Sequence, residues 1–128
     1  MRACAVPARL SATVLDTPDP RGLAAFYAEL LGWRSVEDSS EWVVLRPLGG
    51  GVGLSFQRER QHVRPTWPAE EDTQRMQLHL DIEVDDLGAE VDRAVELGAS
   101  VADVQPQPHV RVLLDPAGHP FCLFVNES

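Results

Sequence analysis

The chain has 128 residues and a formal net charge of −9, with 20 acidic residues against 11 basic ones. This length suffices for one domain with a sizeable core, and the negative charge argues against binding to nucleic acid or to anionic membranes. All the basic residues are arginines, which excludes Schiff-base chemistry and a phosphate-loop lysine.

The cysteine content and the apolar runs bear on the cellular compartment. Cys4 and Cys122 are the only cysteines and are too few for a disulfide scaffold, so we expect a cytoplasmic protein with free thiols. No apolar run approaches the length of a membrane-spanning helix, and Met1 to Pro7 lacks the apolar core of a signal peptide.

The first part of the chain predicts a strand, a helix and further strands. After a loose arm over residues 1–8, residues 10–16 predict a strand. Asp19 followed by Pro20 is typical of a helix start, and Gly32 is typical of a helix end. The polar stretch that follows, over residues 35–40, predicts a turn.

Two further strands and a linker follow. Residues 41–46 and 52–58 predict strands joined by a tight turn, and residues 59–75 predict a linker. Within this linker, Trp67 lies between two prolines. Two interpretations are open, because the indole could plug the end of the core or could form a lid over a pocket.

The clearest pattern begins after the linker. Residues 77–84 alternate between apolar and polar side chains, which predicts a strand with His79, Asp81 and Glu83 on its polar face. The polar face is either a solvated sheet surface or the wall of a cavity. A helix capped at Asp85-Asp86 and ended by Gly98 follows.

The last part of the chain predicts three weaker or shorter elements. Residues 100–107 predict a weak strand or a loop, and residues 109–114 and 121–125 predict two strands joined by a Pro/Gly turn.

The two helices repeat at a nearly constant offset, which indicates an internal duplication. Their caps, Asp19 and Asp86, are 67 positions apart, and their terminal glycines, Gly32 and Gly98, are 66 positions apart. We therefore expect one domain over residues 1–128 with module one at about 9–58, a linker at about 59–75 and module two at about 76–126.

Two sequence motifs resemble the vicinal oxygen chelate superfamily of glyoxalases, bleomycin-resistance proteins and dioxygenases. They are FYAELLGW, over residues 26–33, and DPAGHPFCL, over residues 115–123. Within this superfamily, the chain resembles a glyoxalase-like subgroup that is common in actinobacteria. The resemblance implies an α+β fold of two paired βαβββ modules, with curved, cup-like mixed sheets and helices outside. It also implies a homodimer.

The resemblance further implies where a metal would lie. Metal-dependent members take one ligand from the first strand and one from the last strand of each module. In this chain these positions fall on His79 and Cys122, and on Ala12 and Gly53 (or Ser55 if the turn differs by two residues). Because alanine and glycine have no ligating atom, we expect no metal and no cofactor. His79 and Cys122, with help from Asp81, would ligate only if a metal is present.

Without a metal, the cup becomes a pocket for an organic molecule. Acidic residues at Asp16, Asp81 and Glu83 would favour a neutral or cationic ligand, and aromatic walls would favour a flat one. Each aromatic residue could instead belong to the core. The candidate ligand-binding residues are Trp42, Phe56, Trp67, Met76, His79, Asp81, Cys122 and Phe124.

Three functional hypotheses follow. The first is a metal-free protein of the bleomycin-resistance type that binds and sequesters an aromatic metabolite or antibiotic, in which case no residue is catalytic. The alternative is a glyoxalase-like lyase or isomerase, or a dioxygenase-type enzyme, with a reduced or absent metal site and His79 as the base. The third is a structural dimer without a ligand. His62, His109 and His119 receive no role.

Overall fold

The computed structural model describes residues 7–126, so Cys4 and most of the predicted N-terminal arm lie outside it. The fold consists of two modules with the same element order. The first contains β1 (Ala12–Thr17), α1 (Pro20–Leu31), β2 (Arg34–Asp38), β3 (Trp42–Arg46) and β4 (Gly53–Arg58), and the second contains β5 (Leu80–Glu83), α2 (Leu87–Leu97), β6 (Ser100–Val101), β7 (Val110–Leu114) and β8 (Pro120–Phe124).

Each module forms its own four-stranded mixed sheet. The strand orders are β1-β4-β3-β2 and β5-β8-β7-β6. In each sheet the first and last strands of the module pair in parallel, and the other pairs are antiparallel. The predicted α+β fold of two βαβββ modules is thereby confirmed. Within residues 7–126, no helix is long and apolar enough to cross a membrane.

The helix boundaries were predictable because local capping sets them. The Asp19 carboxylate accepts a hydrogen bond from the amide of Gly22 at 3.1 Å, and the Asp86 carboxylate accepts one from the amide of Ala89 at 3.1 Å. Gly32 adopts the left-handed conformation, with φ of +69°, which allows the chain to leave α1 without a Cβ clash.

The prediction of a turn over residues 35–40 is wrong. Arg34–Asp38 forms the edge strand β2, which pairs with β3 through a register shift between Ser35 and Glu37. All five residues of β2 are exposed, so this strand lacks the alternation that marks a half-buried strand. β5 is also shorter than predicted, and His79 immediately precedes it.

The core joins the two modules through aromatic rings. The Tyr27 ring on α1 lies 4.9 Å from that of Phe26, 5.9 Å from that of Phe56 on β4 and 6.0 Å from that of Phe121 on β8, measured between centroids. Aromatic pairs at these distances add to the stabilisation from apolar burial. The two sheets therefore share one hydrophobic cluster.

A buried carboxylate also connects the modules. The Tyr27 hydroxyl donates a hydrogen bond of 2.7 Å to Asp115, which lies in the turn between β7 and β8. The other carboxylate oxygen of Asp115 accepts hydrogen bonds from the amides of Ala117 and His119 at 2.9 Å and 3.0 Å. One side chain therefore orders this turn and attaches it to α1.

Two histidines bind backbone carbonyls across the same junction. His119 donates from Nε2 to the carbonyl of Asp16 at 2.7 Å, and His62 donates from Nε2 to the carbonyl of Ala117 at 2.8 Å. Their rings lie 5.1 Å apart between centroids. Both histidines therefore hold the linker and the first module against the second.

Gly118 is required at this turn for two reasons. Its φ is +89°, and a Cβ there would lie 2.8 Å from Nε of Arg64, whose Nη1 donates to the Pro116 carbonyl at 2.9 Å. We expect Gly118→Ala to lower the free energy of unfolding by about 1–3 kcal/mol, because it imposes backbone strain and displaces Arg64. Chemical denaturation measures this loss. Gly49→Ala is the control, since nothing lies within 4 Å of a Cβ at that position; equal losses in both variants would contradict the prediction.

Candidate functional site

Three polar side chains of the second module meet at one place. Asp81 on β5 and Cys122 on β8 are register partners on adjacent parallel strands. Nε2 of His79 lies 3.2 Å from a carboxylate oxygen of Asp81. One ligand atom from each of the three residues lies within 4.8 Å of the others. Their side chains point away from the helix, on the sheet face that carries the predicted polar positions.

The thiol of Cys122 is held in its protonated form. Partial burial raises its pKa, and the charge of Asp81 and a hydrogen bond to that carboxylate raise the pKa further. A thiol with a raised pKa is a poor nucleophile, because only the thiolate attacks. Asp81 therefore serves as a shared acceptor between the imidazole of His79 and the thiol of Cys122.

Trp67 lines a pocket of about 190 Å³ together with His79 and Cys122 of this polar corner. The chain segment that carries Trp67 is closed into a loop by the amide of Thr66, which donates to the Gln74 carbonyl at 2.6 Å. The pocket is lined by Trp67, Met76, His79, Pro106, Gln107, Val110, Val112, Pro120 and Cys122. Four of the candidate ligand-binding residues therefore meet in one pocket.

The other candidate residues do not line this pocket. Phe56 is 0 % exposed and stacks on Tyr27 in the core, so no ligand can reach it without unfolding; its assignment to the ligand site is wrong. Trp42 lies in the first sheet, on β3. Phe124 lies on the same strand as Cys122, two residues further along, and does not line the pocket. Asp81 does not line the pocket either, but it contacts His79 and Cys122, which do.

A second and larger cavity, of about 560 Å³, lies between the first sheet and the linker. Met76 lines both cavities, so the two are adjacent. The sequence does not reveal this cavity, because about half of its wall comes from the linker, which has no regular pattern. The lining residues are Val14, Leu15, Asp16, Gln57, Glu59, Gln61, His62, Val63, Pro65, Gln74, Arg75, Met76, Gln77, Leu78 and His119.

Comparison with known proteins identifies the family. A model of the glyoxalase-like domain family matches residues 12–124, which is nearly the whole chain. The chain belongs to this family. Its two βαβββ modules and open sheets are those of the vicinal oxygen chelate superfamily, which the sequence motifs had indicated. No curated protein sequence matches this glyoxalase-like chain.

Several solved structures share the fold. A glyoxalase/bleomycin resistance protein/dioxygenase family enzyme from Burkholderia phytofirmans PsJN is 21% identical, with 92% of this chain and 98% of that one covered and a TM-score of 0.69. An antibiotic binding protein from Streptomyces sp. CB03234 is 19% identical, with coverages of 96% and 99% and a TM-score of 0.63. A bleomycin-binding protein from Streptomyces verticillus is 19% identical, with coverages of 96% and 100% and a TM-score of 0.58. At these identities the similarity establishes the fold of the glyoxalase-like chain.

The register between strands shows which residues of the two modules correspond. Val14 pairs with Ser55 in the first sheet, and Asp81 pairs with Cys122 in the second, each 67 positions later. This is also the offset of the helix caps. Ser55, rather than Gly53, is therefore the counterpart of Cys122.

In this glyoxalase-like domain, only the second module brings together side chains that could ligate a metal ion. His79, Asp81 and Cys122 would hold a borderline cation such as Zn²⁺, which would supply Lewis-acid chemistry when bound. At the corresponding positions of the first module, Ala12 and Val14 carry no ligating atom. The second module therefore provides every strong donor.

Proposed function

We propose that the protein binds and sequesters a small organic molecule, an aromatic metabolite or antibiotic, without a metal. The observation that carries this proposal is a pocket whose walls include Trp67, Met76 and Val112 and whose polar end is His79 with Cys122. A flat ring can stack on an indole and bury its edges against apolar side chains. A pocket of about 190 Å³ has room for one ring system of such a ligand.

The state of the polar residues supports binding without turnover. Cys122 is a protonated thiol, so it is unsuited to covalent attack. The Nε2 atom of His79 is directed at Asp81 and not into the pocket as a free base. Both side chains can still hydrogen-bond to a ligand and orient it.

Two structural neighbours support an antibiotic as the ligand. Both are from Streptomyces species and are described as binding an antibiotic or bleomycin. We further propose that the protein acts in the cytoplasm as a homodimer. Val14 and Leu78 are 45% and 52% exposed at the mouth of the larger cavity, and a second copy would cover such apolar side chains. Analytical ultracentrifugation tests this assembly.

Removal of the indole tests the function. We expect Trp67→Ala to weaken binding of a stacked ligand by about tenfold or more, since each buried aromatic contact contributes roughly 1–3 kcal/mol. Isothermal titration calorimetry with a panel of aromatic natural products that includes bleomycin measures the affinity. Trp42→Ala is the matched control, because Trp42 lies in the other sheet. An equal loss of affinity in both variants, or an affinity that does not change in Trp67→Ala, would contradict the proposal.

The second candidate function is an enzyme, either a glyoxalase-like lyase or isomerase or a dioxygenase-type enzyme. The contact of 3.2 Å between His79 and Asp81 favours it, because a carboxylate can hold an imidazole in the orientation that a general base needs. Metal content of the purified protein, with Cys122→Ala as the control, separates the two functions. A stoichiometric ion that survives dialysis and is lost in the variant would favour the enzyme.

A further inference from the structure

The larger cavity has a lining that is rich in hydrogen-bond acceptors. Beside the exposed apolar side chains of Val14 and Leu78, its wall contains two histidines, His62 and His119, and two carboxylates. Neither the proposed stacking pocket nor the family resemblance assigns these groups a role. The protonation and hydrogen bonds of these groups determine which donors and which charge a molecule would need in order to bind in this cavity.

The hydrogen bonds of the two histidines fix their tautomers. Nε2 of His62 contacts the Ala117 carbonyl, and Nε2 of His119 contacts the Asp16 carbonyl. A carbonyl oxygen can only accept, so each Nε2 carries a proton. In the neutral imidazole, Nδ1 then holds a lone pair, and within residues 7–126 no hydrogen bond to either Nδ1 is formed. Each ring, when neutral, therefore offers Nδ1 as an acceptor.

The two carboxylates of the cavity are Asp16 and Glu59. Asp16 accepts a hydrogen bond from the Gln57 amide at 3.3 Å, and Glu59 accepts one from the backbone amide of Gln61 at 2.9 Å. Within the described part of the chain, neither carboxylate has an ion-pair partner. The cavity also holds Arg75, whose Nε is directed to the Glu70 carbonyl at 3.3 Å.

We propose that the larger cavity binds a protonated amine, either an ammonium or a guanidinium, borne by the ligand whose ring lies under Trp67. Four acceptors, two of them anionic, match the donors and the charge of such a group. Met76 lines both cavities, so the proposed ligand would extend along this side chain from one cavity into the other. This inference rests on the proposed function and specifies its ligand as an amphipathic organic cation.

Three naphthalene probes that differ only in one substituent test the proposal. They are 1-naphthylmethylamine, 1-naphthalenemethanol and 1-naphthoate, titrated calorimetrically at about pH 7.5, where free imidazole is mostly neutral and the amine is protonated. We expect the amine to bind about tenfold more tightly than the alcohol, and the carboxylate to bind most weakly, since hydrogen bonds to charged groups contribute roughly 1.5–3 kcal/mol.

Isosteric variants show which carboxylates cause the preference for the amine. Asp16→Asn and Glu59→Gln should remove most of the preference for the amine, because they weaken binding of the amine much more than binding of the alcohol. Glu83→Gln is the matched control, because it removes the same charge at the position that corresponds to Asp16 in the second module, outside the cavity. A loss in Glu83→Gln as large as that in Asp16→Asn would overturn the proposal, since it would indicate a long-range field.

The remaining outcomes separate this inference from the proposed function. Equal affinity for all three probes, lost in Trp67→Ala, would overturn the amine site and support the stacking pocket. A preference for 1-naphthoate would overturn the amine site in favour of Arg75. A preference for the amine that depends on Asp16 but not on Trp67 would support the cavity and overturn the stacking pocket. Absence of binding by every probe would contradict both.

Discussion

Replacement of Asp115 by alanine is expected to lower the free energy of unfolding by about 2–4 kcal/mol, because three buried donors lose their acceptor. These donors are the Tyr27 hydroxyl and the amides of Ala117 and His119. The turn between β7 and β8 would lose its order and its attachment to α1 together. Urea denaturation monitored by circular dichroism measures the change.

Asp115→Asn is the matched variant for this effect. Its amide oxygen can still accept from the two backbone amides, so it should lose much less stability than Asp115→Ala. If both variants lose the same amount, the hydrogen bonds within the turn do not carry the stabilisation.

The same carboxyl predicts a dependence of stability on pH. Burial raises the pKa of Asp115 above its usual value of 3.8, and this outweighs the opposing effects of the Tyr27 hydrogen bond and His119. The folded state therefore binds the proton more tightly than the unfolded state does. The contribution of this group is fully present below pH 3.8 and declines as pH rises through the raised pKa. Asp115→Asn should lack this decline when its unfolding is compared with that of the native chain across pH.

Replacement of Phe56 by alanine is expected to cost about 3–5 kcal/mol of stability, which is typical of a fully buried phenylalanine. Phe56 is 0 % exposed and stacks on Tyr27 at the centre of the cluster that joins the modules. The cavity left behind would border both the first sheet and α1. Thermal and chemical denaturation of the purified variant measure the loss.

Phe124→Ala provides the comparison for this second effect. Phe124 is half-buried on the face of β8 opposite the core, so its removal should cost about 1 kcal/mol. Equal costs for the two phenylalanines would contradict the assignment of their faces. Folded Phe56→Ala should also retain ligand affinity, whereas an affinity loss without a stability loss would return Phe56 to the ligand site.

The parts of the fold that depend on local chemistry could be predicted from the sequence. The caps at Asp19 and Asp86 and the glycine at position 32 act within one turn of their own helices. The strand β2 could not be predicted, because an exposed edge strand has no apolar face to reveal it. The orientation of the Phe56 side chain toward the core was not predicted either. It depends on the pairing register of β4, and a shift of one residue would turn the side chain to the other face of the sheet.

The candidate site was likewise predictable from the sequence only in part. His79, Asp81 and Cys122 were found because strand alternation and a motif placed them on one face. The larger cavity was missed because its histidines lie 57 positions apart, and no local pattern connects a linker residue with the turn at Asp115. Long-range contacts of this kind follow from tertiary packing alone.

The exposed edge strand β2 has a consequence for how copies of this protein can associate. An open sheet edge offers unpaired backbone groups that another chain could extend into a continuous sheet. Here that edge carries Arg34, Glu37 and Asp38, and its pairing with β3 is interrupted by a bulge. Strand-to-strand growth along this edge would place charged side chains in a flat interface and is disfavoured. The edge of β2 is therefore a poor template for fibril growth.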